Sequence, residues 1–159
     1  MKKSAQSGFT LIEMLFYALF ITVIIGGSLG IIHQLLKNSD SLKSGIAIEE
    51  EANFILRKII WVLNDVETVN SPAINTESNL LSVNKNDFAG GNPVIVVLAG
   101  KDITIKRGSG PALPLNGERF TVSSLSFELF RENSDPKTDL LKASFLLNGK
   151  PFKLTWHIR

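Results

Sequence analysis

One carboxylate stands out in this sequence because it lies inside the most apolar segment. Glu13 is the only formally charged residue between positions 9 and 36. An acid within a membrane-spanning helix is costly, so such residues are rare and usually have a partner. Thr10 followed by Glu13 also fits a capping box, in which the two side chains bond free backbone amides at the start of a helix. The sequence alone leaves both roles open for Glu13.

The other side chains that could do chemistry do not combine into a recognisable active site. The sequence has no cysteine, and its two histidines, His33 and His157, lie far apart. We expect His33 at a membrane interface and His157 in a structural position on the last strand. No serine, histidine and acid form a nucleophile motif. We therefore predict a protein that is not an enzyme and has no catalytic, cofactor-binding or metal-binding residues.

Two loop-like segments contain groups that bind ligands in other proteins. Residues 132–139 offer carboxylate and amide oxygens for calcium, but they lack the spacing of a known calcium loop and Lys137 lies among the acids. Residues 108–111 are glycine-rich, but they are not followed by the lysine and threonine of a phosphate-binding loop. We interpret the first segment as a solvated loop and the second as a turn.

Composition limits the remaining classes of protein. The chain has 159 residues, of which 44% are apolar and 20% charged, as expected for one domain plus an unusually hydrophobic stretch. A net charge of +2 without a local run of basic residues gives no indication of nucleic-acid binding. The absence of cysteine excludes a disulfide framework and a thiolate zinc site.

The apolar segment is long enough to cross a bilayer. Residues 14–32 are interrupted only by one threonine, one serine and small glycines, and about 20 helical residues span the hydrocarbon core. Lys2 and Lys3, in the polar leader before it, favour a cytoplasmic N-terminus. Everything after about Lys37 then lies outside. A secretory signal peptide cut near residues 28–30 and a plain single-pass anchor are the competing interpretations.

The residues on both sides of this segment's start carry a family resemblance. Residues 7–15 read SGFTLIEML, after a short basic leader and before a long apolar helix, and they resemble the N-terminal signal of type IV pilins and pseudopilins. The resemblance implies that prepilin peptidase, a membrane aspartic protease, cuts between Gly8 and Phe9 and methylates the new amine of Phe9. It also implies that Glu13 pairs with the N-terminal amine of a neighbouring subunit, since opposite charges attract strongly in an apolar bundle.

The same resemblance implies a structural role in an assembly. The expected partners are prepilin peptidase, other pilin or pseudopilin subunits, a pilus assembly platform and the bacterial cytoplasmic membrane. The protein would wait in that membrane with an external head and then enter a pilus or pseudopilus. Residues 54–58, 111–115 and 122–127 look most like minor pilins or minor pseudopilins. The alternative is a single-pass anchor that displays a binding domain and never polymerises.

Three glycines interrupt the apolar segment. Gly26, Gly27 and Gly30 each cost about 0.5–1 kcal/mol relative to alanine inside a helix. They indicate either a place that unwinds when subunits pack or a surface for close helix packing. The sequence leaves both open.

Beyond residue 36 the chain becomes amphipathic. Apolar residues recur at steps of three and four, which predicts one helix from Phe9 to near Thr68, ended by residues 70–72. The apolar stripe is Ala52, Ile55, Ile59, Val62, Leu63 and Val66, and the opposite face is Glu49, Glu50, Asn53, Arg57, Asn64 and Glu67.

The remainder predicts an antiparallel meander. Asn148-Gly149 is a strong hairpin signal, because both residues tolerate positive φ. The expected strands are 79–83, 94–98, 103–106, 120–131, 140–147 and 152–158. The side chains expected to cover the helix are Val122, Leu125, Phe127, Leu129, Phe145, Leu147, Leu154 and Trp156.

These observations predict an α+β protein in three parts. The leader is 1–8, the transmembrane and polymerisation helix is 9–36, and the external head is 37–159. In the head, the amphipathic end of the long helix packs on an antiparallel β-sheet, as in pilins. Strand order is not predicted.

Overall fold

The computed structural model describes residues 10–131 and 139–158, apart from the side chains at positions 40 and 41. The chain divides into two compact units, of which the first ends at Gly45 and the second begins at Ile46. The predicted cleavage pair, Gly8 and Phe9, lies outside the described residues. The same is true of most of the polar segment 132–139.

A single helix, α1, covers Leu11–Leu63, a length of 53 residues. Its first turn closes when the backbone N–H groups of Glu13 and Met14 donate to the carbonyl of Thr10, at 3.1 and 3.3 Å. No side-chain hydrogen bond between Thr10 and Glu13 accompanies them within the described part of the chain, so the predicted capping box does not form.

The predicted end of the helix near Thr68 is wrong by five residues. Asp65 adopts a left-handed conformation with φ 56°, which α-helical geometry does not allow. The last backbone bond of the helical type runs from the N–H of Asn64 to the carbonyl of Ile60, at 3.0 Å. The next residues form a strand, and Val66 is buried from its position on that strand just as it would be on the helix.

In the described part of the chain, nine strands follow in two antiparallel sheets, where the sequence predicted one sheet. The first sheet has the order β1-β3-β4-β5-β6 and the second has the order β2-β7-β8-β9. The predicted antiparallel pairing is confirmed, and each of the six predicted strands is present with shifted ends. The bounds are β1 Val66–Ser71, β2 Glu77–Ser78, β3 Leu80–Lys85, β4 Val94–Ala99, β5 Asp102–Arg107, β6 Leu113–Pro114, β7 Val122–Arg131, β8 Asp139–Leu147 and β9 Lys150–His157.

The hairpin between β8 and β9 forms where the sequence predicted it. Asn148 and Gly149 have φ values of 48° and 79°, the two positive angles of a type I′ turn. Its backbone twist matches that of the strands it joins, so β8 and β9 pair without a register shift from Leu147↔Lys150 to Leu140↔His157.

The core of the second unit lies between the end of α1 and the two sheets. The predicted apolar stripe is buried and the six polar residues opposite it are exposed, which confirms the amphipathic pattern. The sheets contribute Val83, Val94, Val96, Ile103, Phe127, Leu141, Phe145 and Leu147, among others. This is an α+β fold, because the long helix and the antiparallel strands share one hydrophobic core.

A buried lysine closes the C-terminal end of α1. Lys85, at the end of β3, is 7% exposed, and its ammonium group donates to the carbonyl of Trp61 at 2.8 Å and to the carbonyl of Asn64. It also lies 4.9 Å from the centre of the Trp61 ring. Burial lowers the pKa of Lys85, and the carboxylate of Asp65 opposes that change. The ammonium thus satisfies carbonyls that have no partner within the helix.

We expect Lys85→Met to destabilise the head by about 1–3 kcal/mol, because the variant keeps the apolar stem but leaves two helix carbonyls without their donor. The measurement is urea unfolding of the full chain in detergent, followed by tryptophan fluorescence. Lys58→Met is the matched control. Lys58 is on α1 itself, and its ammonium lies 5.3 Å from the centre of the Phe54 ring, but no hydrogen bond ties it to the helix end. Equal destabilisation in both variants would show that Lys85 does not cap α1.

Candidate functional site: an exposed apolar helix with an acidic first turn

The first part of α1 presents an uncovered apolar surface. The large hydrophobic side chains from Leu11 to Leu36 are 52–80% exposed, and no part of the most apolar 18-residue stretch is buried. The core helix of a soluble domain buries its apolar residues, as the stripe of α1 around Ile55 and Ile59 does. By length and composition, this one helix of the described chain could cross a membrane.

The polar side chains within this surface are compatible with an apolar environment. The hydroxyl of Thr22 donates to the carbonyl of Ala18, and the hydroxyl of Ser28 donates to the carbonyl of Ile24, each at 2.8 Å. Both bonds run back along the same helix, so neither hydroxyl needs water or another molecule. Both hydroxyl groups of the predicted segment 14–32 therefore have hydrogen-bond partners within the helix itself.

Glu13 differs from these hydroxyls because it has no such partner. It lies in the first turn of α1, and its neighbours Leu11, Ile12 and Met14 are all more than half exposed. Among the described residues, no side chain forms a salt bridge or a hydrogen bond with its carboxylate. The positive end of the helix dipole favours an acid at this place. The geometry leaves the carboxylate free to meet a cation from outside the described chain.

The glycines in the same segment do not break the helix. Gly26, Gly27 and Gly30 all have helical conformation, and a Cβ built at each meets nothing within 4 Å. The helix surface is therefore flat and open there. Close packing by a neighbouring helix and local unwinding when subunits pack therefore both stay predictions.

The remaining candidate residues do not assemble into a site. His33 and His157 are both exposed, and they belong to different units. Asp139, from the possible calcium segment, is 5% exposed and forms a bidentate ion pair with Arg131, with both N–O distances 2.6 Å. That pair uses both carboxylate oxygens of Asp139. Within the described residues, no three acidic or histidine side chains are grouped as metal ligands.

Sequence reasoning missed one feature of the head. An open cavity of about 700 Å³ lies between the end of α1 and the end of β9, lined by Leu63, Asn64, Asp65, Thr155, Trp156 and His157. Its existence depends on where α1 stops, and the apolar pattern did not reveal that stop. The alternation of apolar and polar residues from Phe152 to His157 was the available signal for the strand side of the cavity.

Comparison with known proteins adds no relative from which a function could be transferred. No family model matches the chain, and no curated protein and no solved structure matches it. Its function must therefore be inferred from its own residues, above all the exposed apolar helix and Glu13.

Proposed function

We propose that this chain is a prepilin-like structural subunit, a minor pilin or pseudopilin of a type IV pilus or a type II secretion-like filament. Prepilin peptidase removes residues 1–8 and methylates Phe9. The apolar part of α1 holds the protein in the cytoplasmic membrane, with the N-terminus on the cytoplasmic side and the head outside. The same helix then packs against other subunits when the filament is assembled.

One observation carries this proposal. A long apolar helix that is left uncovered by the described residues has an acid in its first turn, Glu13, with no partner among those residues. Lipid alone covers the apolar surface but does not neutralise Glu13. The amine that cleavage exposes at Phe9 in another subunit supplies both the opposite charge and a position close to the helix start. The pair would set the register of neighbouring helices.

The packing of α1 into the core of the head supports the proposal. The last turns of α1 are part of the hydrophobic core, from Ala52 to Leu63. The helix that carries the apolar segment thus also supplies part of the core of the head. The role is mechanical, and it requires neither a catalytic residue nor a cofactor.

A single-pass anchor with a non-polymerising binding domain is the second candidate, and the exposed helix favours it equally. The two proposals differ in the N-terminus of the mature protein. A plain anchor retains residues 1–8, whereas a processed subunit begins with an N-methylated phenylalanine.

We expect mass spectrometry of the protein purified from its own membrane to give an N-terminus at Phe9 with one added methyl group. We expect cleavage because Gly8 is small enough for the extended segment to enter the protease. The residues on both sides of the bond after Gly8 also resemble the prepilin signal. Retention of residues 1–8 would contradict the proposal and support the plain anchor. A start near Ile31 would instead identify a secretory signal peptide.

A further inference from the structure

One of the sheet edges in the head is long, regular and unpaired. β9 is the outer strand of the second sheet and has eight residues. The other sheet edges carry features that discourage strand pairing. β2 and β6 have two residues each, and β1 has two register irregularities in its six residues. Among the described edge strands, β9 alone pairs over eight residues without a register shift, and its outward N–H groups run uninterrupted from Lys153, because Pro151 has none.

The hairpin geometry determines which backbone groups of β9 point outward. In a two-residue hairpin the first pair, Leu147↔Lys150, exchanges both hydrogen bonds, and bonded pairs then recur at every second residue. The N–H of Ile158 donates to the carbonyl of Asp139 at 2.9 Å, which agrees with this alternation. The outward groups therefore belong to the odd-numbered residues of β9.

Those outward groups form a short row of free donors. Lys153, Thr155 and His157 direct their N–H groups away from β8, and within the described chain none of the three donates to another residue. Pro151 occupies an outward position too, where its missing N–H costs no bond to β8. The row leads into the cavity of about 700 Å³ beside Thr155 and His157. An extended polypeptide is the ligand that satisfies such a row.

The side chains indicate what kind of strand would fit. On the core face of β9, Phe152, Leu154 and Trp156 are only half-buried. A neighbouring strand with apolar residues on that face would complete their burial. The outer face of β9 carries exposed Lys153 and His157, and β9 contains no acid.

We infer that β9 receives an extended strand from a partner protein, with apolar residues alternating with carboxylates. The carboxylates would lie opposite Lys153 and Thr155 on the outer face. Pairing of two copies through β9 is disfavoured, because Lys153 would meet the cations of the other copy. The inference goes beyond the proposed function. It depends only on residues of the head, so it holds whether or not the leader is cleaved.

The test uses a fluorescent synthetic peptide, Glu-Val-Glu-Val-Glu-Val-Glu, and the full chain in detergent. We expect saturable binding by fluorescence anisotropy, with new hydrogen-exchange protection at the amides of Lys153, Thr155 and His157. A lysine counterpart of the peptide should bind at least about tenfold more weakly, the effect of one lost charge-assisted contact. Absence of binding, protection at other amides, or equal binding of both peptides would overturn the inference.

Thr155→Pro is the variant that separates edge pairing from simple charge attraction. It removes one outward N–H without removing a bond to β8, and we expect peptide affinity to fall about tenfold or more. Thr155→Val keeps the N–H and should retain binding. Lys153→Glu should reverse the preference toward the lysine peptide, which keeps the inference testable if Thr155→Pro does not fold. Unchanged affinity in Thr155→Pro or unchanged preference in Lys153→Glu would contradict it.

Discussion

Replacement of Glu13 by glutamine should strongly reduce incorporation of the protein into filaments while leaving its N-terminal processing unchanged. Glutamine keeps the length and hydrogen-bonding groups of the side chain but removes its charge. In an apolar bundle, the amine of a neighbouring subunit then has no counter-ion, and an unpaired buried charge is strongly unfavourable. We expect at least about a tenfold loss, since each variant subunit loses its charge-assisted contact with a neighbour. The measurement is the amount of protein in isolated filaments relative to the membrane fraction.

Glu49→Gln is the matched control for this experiment. Glu49 is an exposed carboxylate on the same helix, but it belongs to the unit that begins at Ile46. We expect normal incorporation of this variant. The Glu13 variant must also begin at Phe9, so that loss of assembly is not caused by failed cleavage. Unchanged incorporation of Glu13→Gln would show that the charge does not set the register, whatever the N-terminus is.

Phe127→Ala should cause the largest loss of stability among single changes in the head, about 3–5 kcal/mol. Phe127 lies in the middle of β7, is fully buried, and pairs with Ala143 on β8 and with Ser78 on β2. Small alanine at position 143 cannot fill the space that the ring leaves, so a cavity remains. A loss of this size approaches the whole stability of many small domains. The measurement is urea unfolding of the full chain in detergent, with accumulation in cells as a second readout.

Phe130→Ala provides the comparison on the same strand. Phe130 is only half-buried, and the ammonium of Lys142 lies 4.1 Å from the centre of its ring. Truncation removes this exposed contact and little core packing, so we expect a cost of about 1 kcal/mol or less. If both variants lose equal stability, the core of the head does not lie on the face of β7 that carries Phe127.

Local sequence patterns predicted most of the elements correctly. The steps of three and four from Ala52 to Leu63 predicted the buried face of α1, because a helix repeats its direction every 3.6 residues. Alternation predicted the long strands, and Asn148-Gly149 predicted their hairpin, because the required dihedral angles are local properties of those residues. The two-residue strands β2 and β6 were not predicted, and the end of the helix was misplaced because one residue suits two structures. Val66 fits a helical stripe and a strand equally, so β1 was missed.

The candidate site also has one part that the sequence predicted and another that it did not. The long apolar run and the acid in the first turn of its helix are features of the linear sequence, and the proposed membrane segment depends on nothing else. The free edge of β9 could not be predicted because it depends on strand order, and the cavity beside it could not be predicted because it depends on where α1 stops. A strand's own residues determine which of its faces is apolar, but only pairing with distant strands determines which edge remains open.

The amino-acid sequence by itself determined that this chain has a long apolar helix with Glu13 near its start, followed by an amphipathic helix end and antiparallel strands. Periodicity carries that information, because local geometry fixes the direction of each side chain. Only the tertiary structure decided that α1 stops at Leu63, that the strands form two sheets, and that β9 lies at an edge. Those outcomes follow from the competition of distant segments for one core, and no short stretch of sequence records its result.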